Sequence, residues 1–246
     1  MKHFLDTVGT IPDGLGFSMF DSTHLAWLAF FALFALAASL FYRKSGEGRR
    51  RIIRYVFAAL LVVNELFKQT CLIVGGNFSV DYLPLHLCSV NIFLIAYHVF
   101  RKNEALDNFL YLVCIPGAVA ALLAPTWTEL PFGNFMHMHS FSVHVMLATY
   151  PIMLTAGGDI RPDVRRIPKS LLVLLGLGGV ALAANLLLDT NFMFLMCAEQ
   201  GNPLYWFETH WGSHLLGFPV LIAAVVAVMN LPWVLVRKWS KKDQKV

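Results

Sequence analysis

Apolar residues gather in seven stretches, at roughly 24–42, 52–73, 83–100, 105–124, 136–157, 168–188 and 213–236, separated by short polar segments. Each approaches the ~20 residues with which a helix crosses the hydrocarbon core of a bilayer. The pattern predicts an all-α, polytopic membrane protein with seven transmembrane helices, forming a single membrane domain over 1–246. The longest outer segment, about 189–212, reads as a loop, and no internal repeat or low-complexity tract interrupts the series. Residues 1–23 hold Asp6, Asp13, Gly14 and Gly16 and lack a continuous apolar run, so the first stretch is expected to act as its own insertion signal.

Composition agrees. With 57% hydrophobic and 14% charged residues and a mean hydropathy of +0.62, the chain has too few charges to cover a water-soluble globule of its size. The net charge of +4 does not point to nucleic acid, because the bases sit between apolar stretches. Arg43, Lys44, Arg49, Arg50, Arg51 and Arg54 follow the first, and Arg101 and Lys102 the third. Arg161, Arg165, Arg166 and Lys169 follow the fifth, and Arg237, Lys238, Lys241, Lys242 and Lys245 the seventh. Basic loops after every odd-numbered stretch place the N-terminus outside and the C-terminus inside.

In that orientation the polar residues inside the stretches converge on the outer side. Glu65, Lys68 and Gln69 share one face of the second helix at i, i+3 and i+4, a spacing at which the Glu–Lys pair can neutralise itself. His86, Cys88 and Asn91 fall near the start of the third helix, and His137, His139 and His144 in the outer part of the fifth. Asn185 and Asp189 end the sixth, and His210 and His214 open the seventh. Eight of the nine histidines, all but His98, thus lie in the outer half or beyond it, while the inner halves read as nearly dry, broken chiefly by Asn108 and Ser170.

Much of this has a plain structural reading. His3, His24, His137, His139 and His210 suit the headgroup region, and Trp127, Trp206, Trp211, Tyr82 and Tyr205 suit an outer aromatic belt. Cys114 reads as a small apolar filler beside a kink at Pro116 and Gly117. Gly176, Gly178 and Gly179 read as close-packing positions. The four cysteines, Cys71, Cys88, Cys114 and Cys197, are too scattered for a disulfide framework, although a Cys71–Cys197 bridge on the outer side is conceivable. What remains is Glu65, Cys88 and His144, with His86, Asn91, Asn185 and Asp189: ionisable or strongly polar groups at membrane depth, each expensive unless paired or functional.

Cys88 and His144 suggest a chemistry. A thiol reacts as its thiolate, which a helix N-terminus or a neighbouring imidazole favours, and Pro84 suits the first turn of the third helix, placing Cys88 near unsatisfied backbone N–H groups. Apolar surroundings oppose ionisation, so an imidazole must take the proton. His144 lies at comparable depth, whereas His86, two residues from Cys88 on a helix, projects about 200° away. A nucleophile activated by an adjacent base fits acyl transfer.

The runs Leu83-Pro84-Leu85-His86-Leu87-Cys88-Ser89, Ile115-Pro116-Gly117-Ala118, His144 ahead of Tyr150-Pro151, and Asn185 through Leu195 resemble the bacterial YwaF-like integral membrane proteins over most of the chain from about residue 50. That family resembles, more distantly, a vertebrate TMEM-type acyltransferase that remodels ether phospholipids, and the androgen-induced-gene family of membrane hydrolases, which uses Thr and His. The resemblance implies Cys88 as nucleophile and His144 as general base, Glu65 and Gln69 as family-matching residues, membrane lipids as partners, and the bacterial cytoplasmic membrane as location. One departure is visible: where a Gly-Pro-Trp-Pro-like stretch is expected, this chain has Glu208-Thr209-His210-Trp211-Gly212-Ser213-His214.

The outer position of the pair favours a lipid over a cytosolic acyl-CoA as donor, hence transacylation or lipid hydrolysis, with Asn91 or Asn185 at the oxyanion and no cofactor. Two other classes stay open. Glu65, Lys68, His144, Asn185, Asp189 and His214 can line a solute or ion path, but a path also needs polar groups on the inner side. His210 and His214, an i, i+4 pair if the seventh helix includes both, can hold a metal together with His137, His144, Glu65 or Asp189. No feature of the sequence specifies an oligomeric state.

Overall fold

In a computed structural model of the protein, residues 2–199 and 202–243 are described, 232–243 by backbone alone. All regular structure among the described residues is helical. The longer elements are α1 (Ser22–Lys44), α2 (Glu47–Val74), α3 (Leu87–Phe100), α4 (Glu104–Leu123), α5 (Phe135–Ala156), α6 (Ile167–Leu188), α7 (Pro203–Trp211) and α8 (Gly217–Asp243). Five segments are long and apolar enough to cross a membrane: α1, α2, α4, Val164–Leu188 and His214–Leu231. The third apolar stretch forms only the 14-residue α3, since residues 83–86 enter the bundle unwound. The fifth forms a full-length helix whose apolar character is diluted by His137, His139 and His144.

Helix ends follow the sequence closely. Asp21 caps α1 by accepting from the backbone N–H of His24, Asn103 caps α4, and Asn134 caps α5 by accepting from Met136 and His137. Within α4, Pro116 has no N–H to offer the turn below it, and the chain there takes a π-turn over Leu110–Cys114 in which Ile115 N–H reaches back to Leu110 O. The segment 189–212 is more than a loop: its second half is α7, whose Leu204 and Phe207 pack against Gly217 at the start of α8.

The bundle is organised around α5, which buries fourteen of its 22 residues, as expected of a helix apolar nearly all round. α1, α2 and the outer part of α4 pack on it, and α3 lies against α2, α5 and the π-turn of α4. α1 and α6 bury only three residues each and display rows such as Leu33, Leu36, Leu172, Leu175, Leu186 and Leu187, a surface suited to lipid.

The end of the bundle expected to face inward is not dry. Asp159, just beyond α5, binds Arg50 and Arg54 at 3.0 and 2.7 Å and accepts from the Tyr42 hydroxyl. The ring of Tyr42 rests where a side chain on Gly157 would fall. His98 is buried between the Tyr150 hydroxyl (2.8 Å) and Asp107 (2.7 Å), and Asn108 donates to Ser170 (3.1 Å). The partners come from separate segments of the chain. Their charges are engaged with one another, so the network ties helices together.

Candidate functional site

The half-buried, unwound run 83–86 leads into the start of α3, where Cys88 is half-buried as well. His86 is the N-cap residue, without a side-chain capping bond, and Pro84 precedes the helix instead of lying in its first turn. Cys88 therefore sits in the first turn, beside backbone N–H groups that have no carbonyl partner. Irregular backbone at membrane depth is tolerated where it is enclosed by protein or lines a cavity, and the cavity at this point begins with Leu87, directly after the unwound run.

From α5, the His144 imidazole comes near enough to the Cys88 thiol for the two groups to act on one another electrostatically. Its Nδ1 is 2.7 Å from the Ser140 carbonyl oxygen, which can only accept, so Nδ1 carries the proton and Nε2 is the basic nitrogen of the neutral ring. Trp127 stacks on the ring with centroids 5.3 Å apart and planes 11° from parallel, an arrangement that also favours an imidazolium. Trp127 is thus a buried wall of the site and not a member of the outer belt.

A narrow cavity of about 70 Å³ lies against the thiol, bordered by Leu87, Cys88, Asn91, Cys114, Gly117 and Leu147. Cys114 is fixed by donating to Leu147 O at 3.3 Å. Asn91 is only 3% exposed, and its Oδ1 has no hydrogen-bond partner. A buried, unpaired carboxamide costs about 1–3 kcal/mol, so such a group calls for a reason. Since amide O and N exchange places by a 180° rotation, this side chain can offer the cavity either an acceptor or N–H donors.

Next to this centre stands a second cluster. Lys68 binds Glu65 at 2.7 Å, and Gln69 links Glu65 Oε1 (2.9 Å) to the Tyr82 carbonyl (2.8 Å). Glu65 Oε2 is unpartnered and 3.7 Å from His139 Nε2, whose ring is held by Asn64. The Lys68 charge is near enough to act on Cys88, His86 and His139.

The remaining expected residues lie apart from the thiol. His86 accepts from Met193 N–H and is packed by Phe192 and Phe194, which cover the outer end of α3. Asn185 braces that cover through Phe192 and Thr190, and exposed Asp189 ends α6 in a left-handed conformation. Both ends of the Asn185 amide are thus engaged by Phe192 and Thr190, and neither Asn185 nor Asp189 borders the cavity at Cys88. His210 and His214 are not on one helix: α7 ends at Gly212, and an extended Ser213 follows. His210 stacks on Trp206, while His214 faces Glu208 at 3.3 Å. Among the described residues no three His, Cys, Asp or Glu side chains gather as a metal would require. All four cysteines are free, so Cys71 and Cys197 are unbridged. His24, His137 and His139, expected at the headgroups, are buried; His24 Nε2 meets Leu122 O at 2.7 Å and Trp27 donates to His137 at 3.0 Å.

The long apolar helices, lipid-suited surface and enclosed polar centre define a multi-pass helical membrane protein. Residues 19–230 match the model of the TMEM164 family, and the chain belongs to that family. No curated protein and no solved structure matches it.

Proposed function

We propose that the protein is a membrane-embedded lipid acyltransferase, transacylating between lipids or releasing the acyl group to water, with Cys88 as nucleophile and His144 as general base. What supports this reading is the nearness of Cys88 and His144 on separate helices, with His144 Nδ1 held by Ser140 O and the unpartnered Oδ1 of Asn91 on a residue that borders the same cavity as Cys88. Cys88 Sγ attacks an ester carbonyl carbon of a phospholipid and its proton passes to His144 Nε2. The tetrahedral oxyanion accepts from the Asn91 amide. Collapse breaks the ester C–O bond, and His144 returns the proton to the departing lysolipid oxygen, leaving a thioester on Cys88. A hydroxyl of a second lipid, or water, then attacks the thioester with His144 again taking the proton, and the thiol is regenerated.

Basic loops after the odd-numbered apolar stretches support seven spans, α1 to α6 and α8, with the N-terminus outside and the C-terminus inside the bacterial cytoplasmic membrane. The thiol then serves the outer leaflet. Purified protein reconstituted with ester phospholipids and a lysolipid acceptor is expected to form new diacyl lipid or free fatty acid, read by mass spectrometry. Cys88→Ala and His144→Ala should each lower turnover by at least about 100-fold. Full activity in C88A would overturn the proposal.

A further inference from the structure

We infer that the cavity at Cys88 opens sideways, at Gly117 on α4, into the bilayer, and that the acyl chain of an ester lipid reaches the thiol through this lateral portal. The inference takes its ligand class from the acyl-transfer reading; the portal itself rests on geometry.

The polar end of the cavity is made by Cys88 and Asn91, and its apolar sides by Leu87, Ala118 and Leu147. Gly117 borders the same cavity yet is exposed, and a Cβ built there meets nothing within 4 Å. Position 117 is therefore the place where the cavity ends and open surface begins. The packing explains the gap: α3 touches α4 at the π-turn, whereas the outer part of α4, which carries Gly117, leans on α5. Above Cys88, by contrast, the way to outer water is covered by His86 under Phe192 and Phe194.

Size leads to the same conclusion. About 70 Å³ admits an ester group and its first methylenes, far less than the ~300–1,000 Å³ that encloses a drug-sized ligand. The rest of a fatty chain must lie outside, and only a mouth on the lipid-facing surface lets it do so without exposing the chain to water. A glycine at the mouth keeps the passage open.

The test measures alkylation of Cys88 in protein whose other cysteines, Cys71, Cys114 and Cys197, are replaced by Ala, reconstituted in phosphatidylcholine vesicles. Two reagents are compared, a long-chain N-alkylmaleimide that resides in the bilayer and a charged, impermeant methanethiosulfonate. With Gly117 in place the alkylmaleimide should react faster than the charged reagent by at least about tenfold. Gly117→Leu should slow the alkylmaleimide by at least about tenfold, because a packed mouth leaves no room for the chain. Gly176→Leu, at another exposed glycine with open space around it, should leave the rate unchanged. Unfolding would free the thiol and raise its reactivity, so slowing cannot come from a misfolded variant, and Gly117→Val repeats the test with a smaller side chain should the leucine disturb the helix. Equal rates for the two reagents, or an alkylmaleimide rate indifferent to both substitutions at 117, would overturn the portal. Labelling requires only a thiol and an opening, so failure of the acyl-transfer reading would show separately, as absence of lipid turnover in the unmodified protein.

Discussion

Among the described residues, Asn91 is one of the few whose buried polar atoms find no partner, and the one of them that borders the cavity at Cys88. Its Oδ1 is buried without a partner near the Cys88 thiol, and an apolar side chain of similar size would remove that cost. Asn91→Leu is therefore expected to leave thermal stability unchanged or raise it by about 1–3 kcal/mol. The same change should reduce lipid turnover by about 100-fold, as loss of an oxyanion donor does. Loss of stability in N91L, measured by thermal unfolding in detergent, would assign Asn91 a packing role instead. Cys88 and His144 were legible as candidates because few residue types can do this work at membrane depth. The unpaired state of Asn91 was not, since hydrogen-bond satisfaction depends on neighbours from α4 and α5. For the same reason Trp127 looked like a belt residue: nothing in its local sequence reveals that it stacks on His144.

Among the helices, α3 is informative because it is short. An apolar stretch of spanning length, 83–100, spends its first residues unwound, and that choice puts the half-buried Cys88 in the first turn of α3. The sequence signals the helices well, since apolar runs and the caps Asp21, Asn103 and Asn134 are local features. It signals the inner network poorly, because Asp159, Arg50, Arg54 and Tyr42 come from separate segments and each alone passes for a solvated loop or interfacial residue. Burial tends to neutralise the Asp159 carboxyl, but the Tyr42 hydrogen bond and the charges of Lys102, Arg54 and Arg50 outweigh it and hold the group below the ordinary carboxylate range. Its pairing therefore contributes fully at neutral pH, above the unfolded-state value near ~4, and is lost as pH falls through the lowered folded value. Asp159→Asn should destabilise the protein by about 3 kcal/mol at pH 7, since it leaves two arginines short of their counter-charge. Thermal unfolding of wild type and D159N from pH 7 down to pH 3 should show the difference shrinking below about pH 4. A pH-independent difference would contradict the account.

For the molecule entire, the distribution of charge and the placement of chemistry make one statement. In the proposed orientation bases mark one side of the bundle and the thiol, the imidazole and the Asn91 amide lie toward the other, with Phe192 and Phe194 packed on His86 and exposed Gly117 at the edge of the cavity. On the proposed function, such a body acts on a molecule already dissolved in the membrane. The most direct test is to look for the acyl group on Cys88. Wild-type protein and Cys88→Ser are incubated with ester phospholipid in vesicles, and the peptide containing residue 88 is weighed by mass spectrometry. The account predicts a fatty-acyl adduct on Cys88, removable by hydroxylamine and absent in His144→Ala, with C88S carrying either a slower, hydroxylamine-resistant ester or none. An unmodified Cys88 in protein that nevertheless turns over lipid, or an adduct that persists unchanged in H144A, would contradict it.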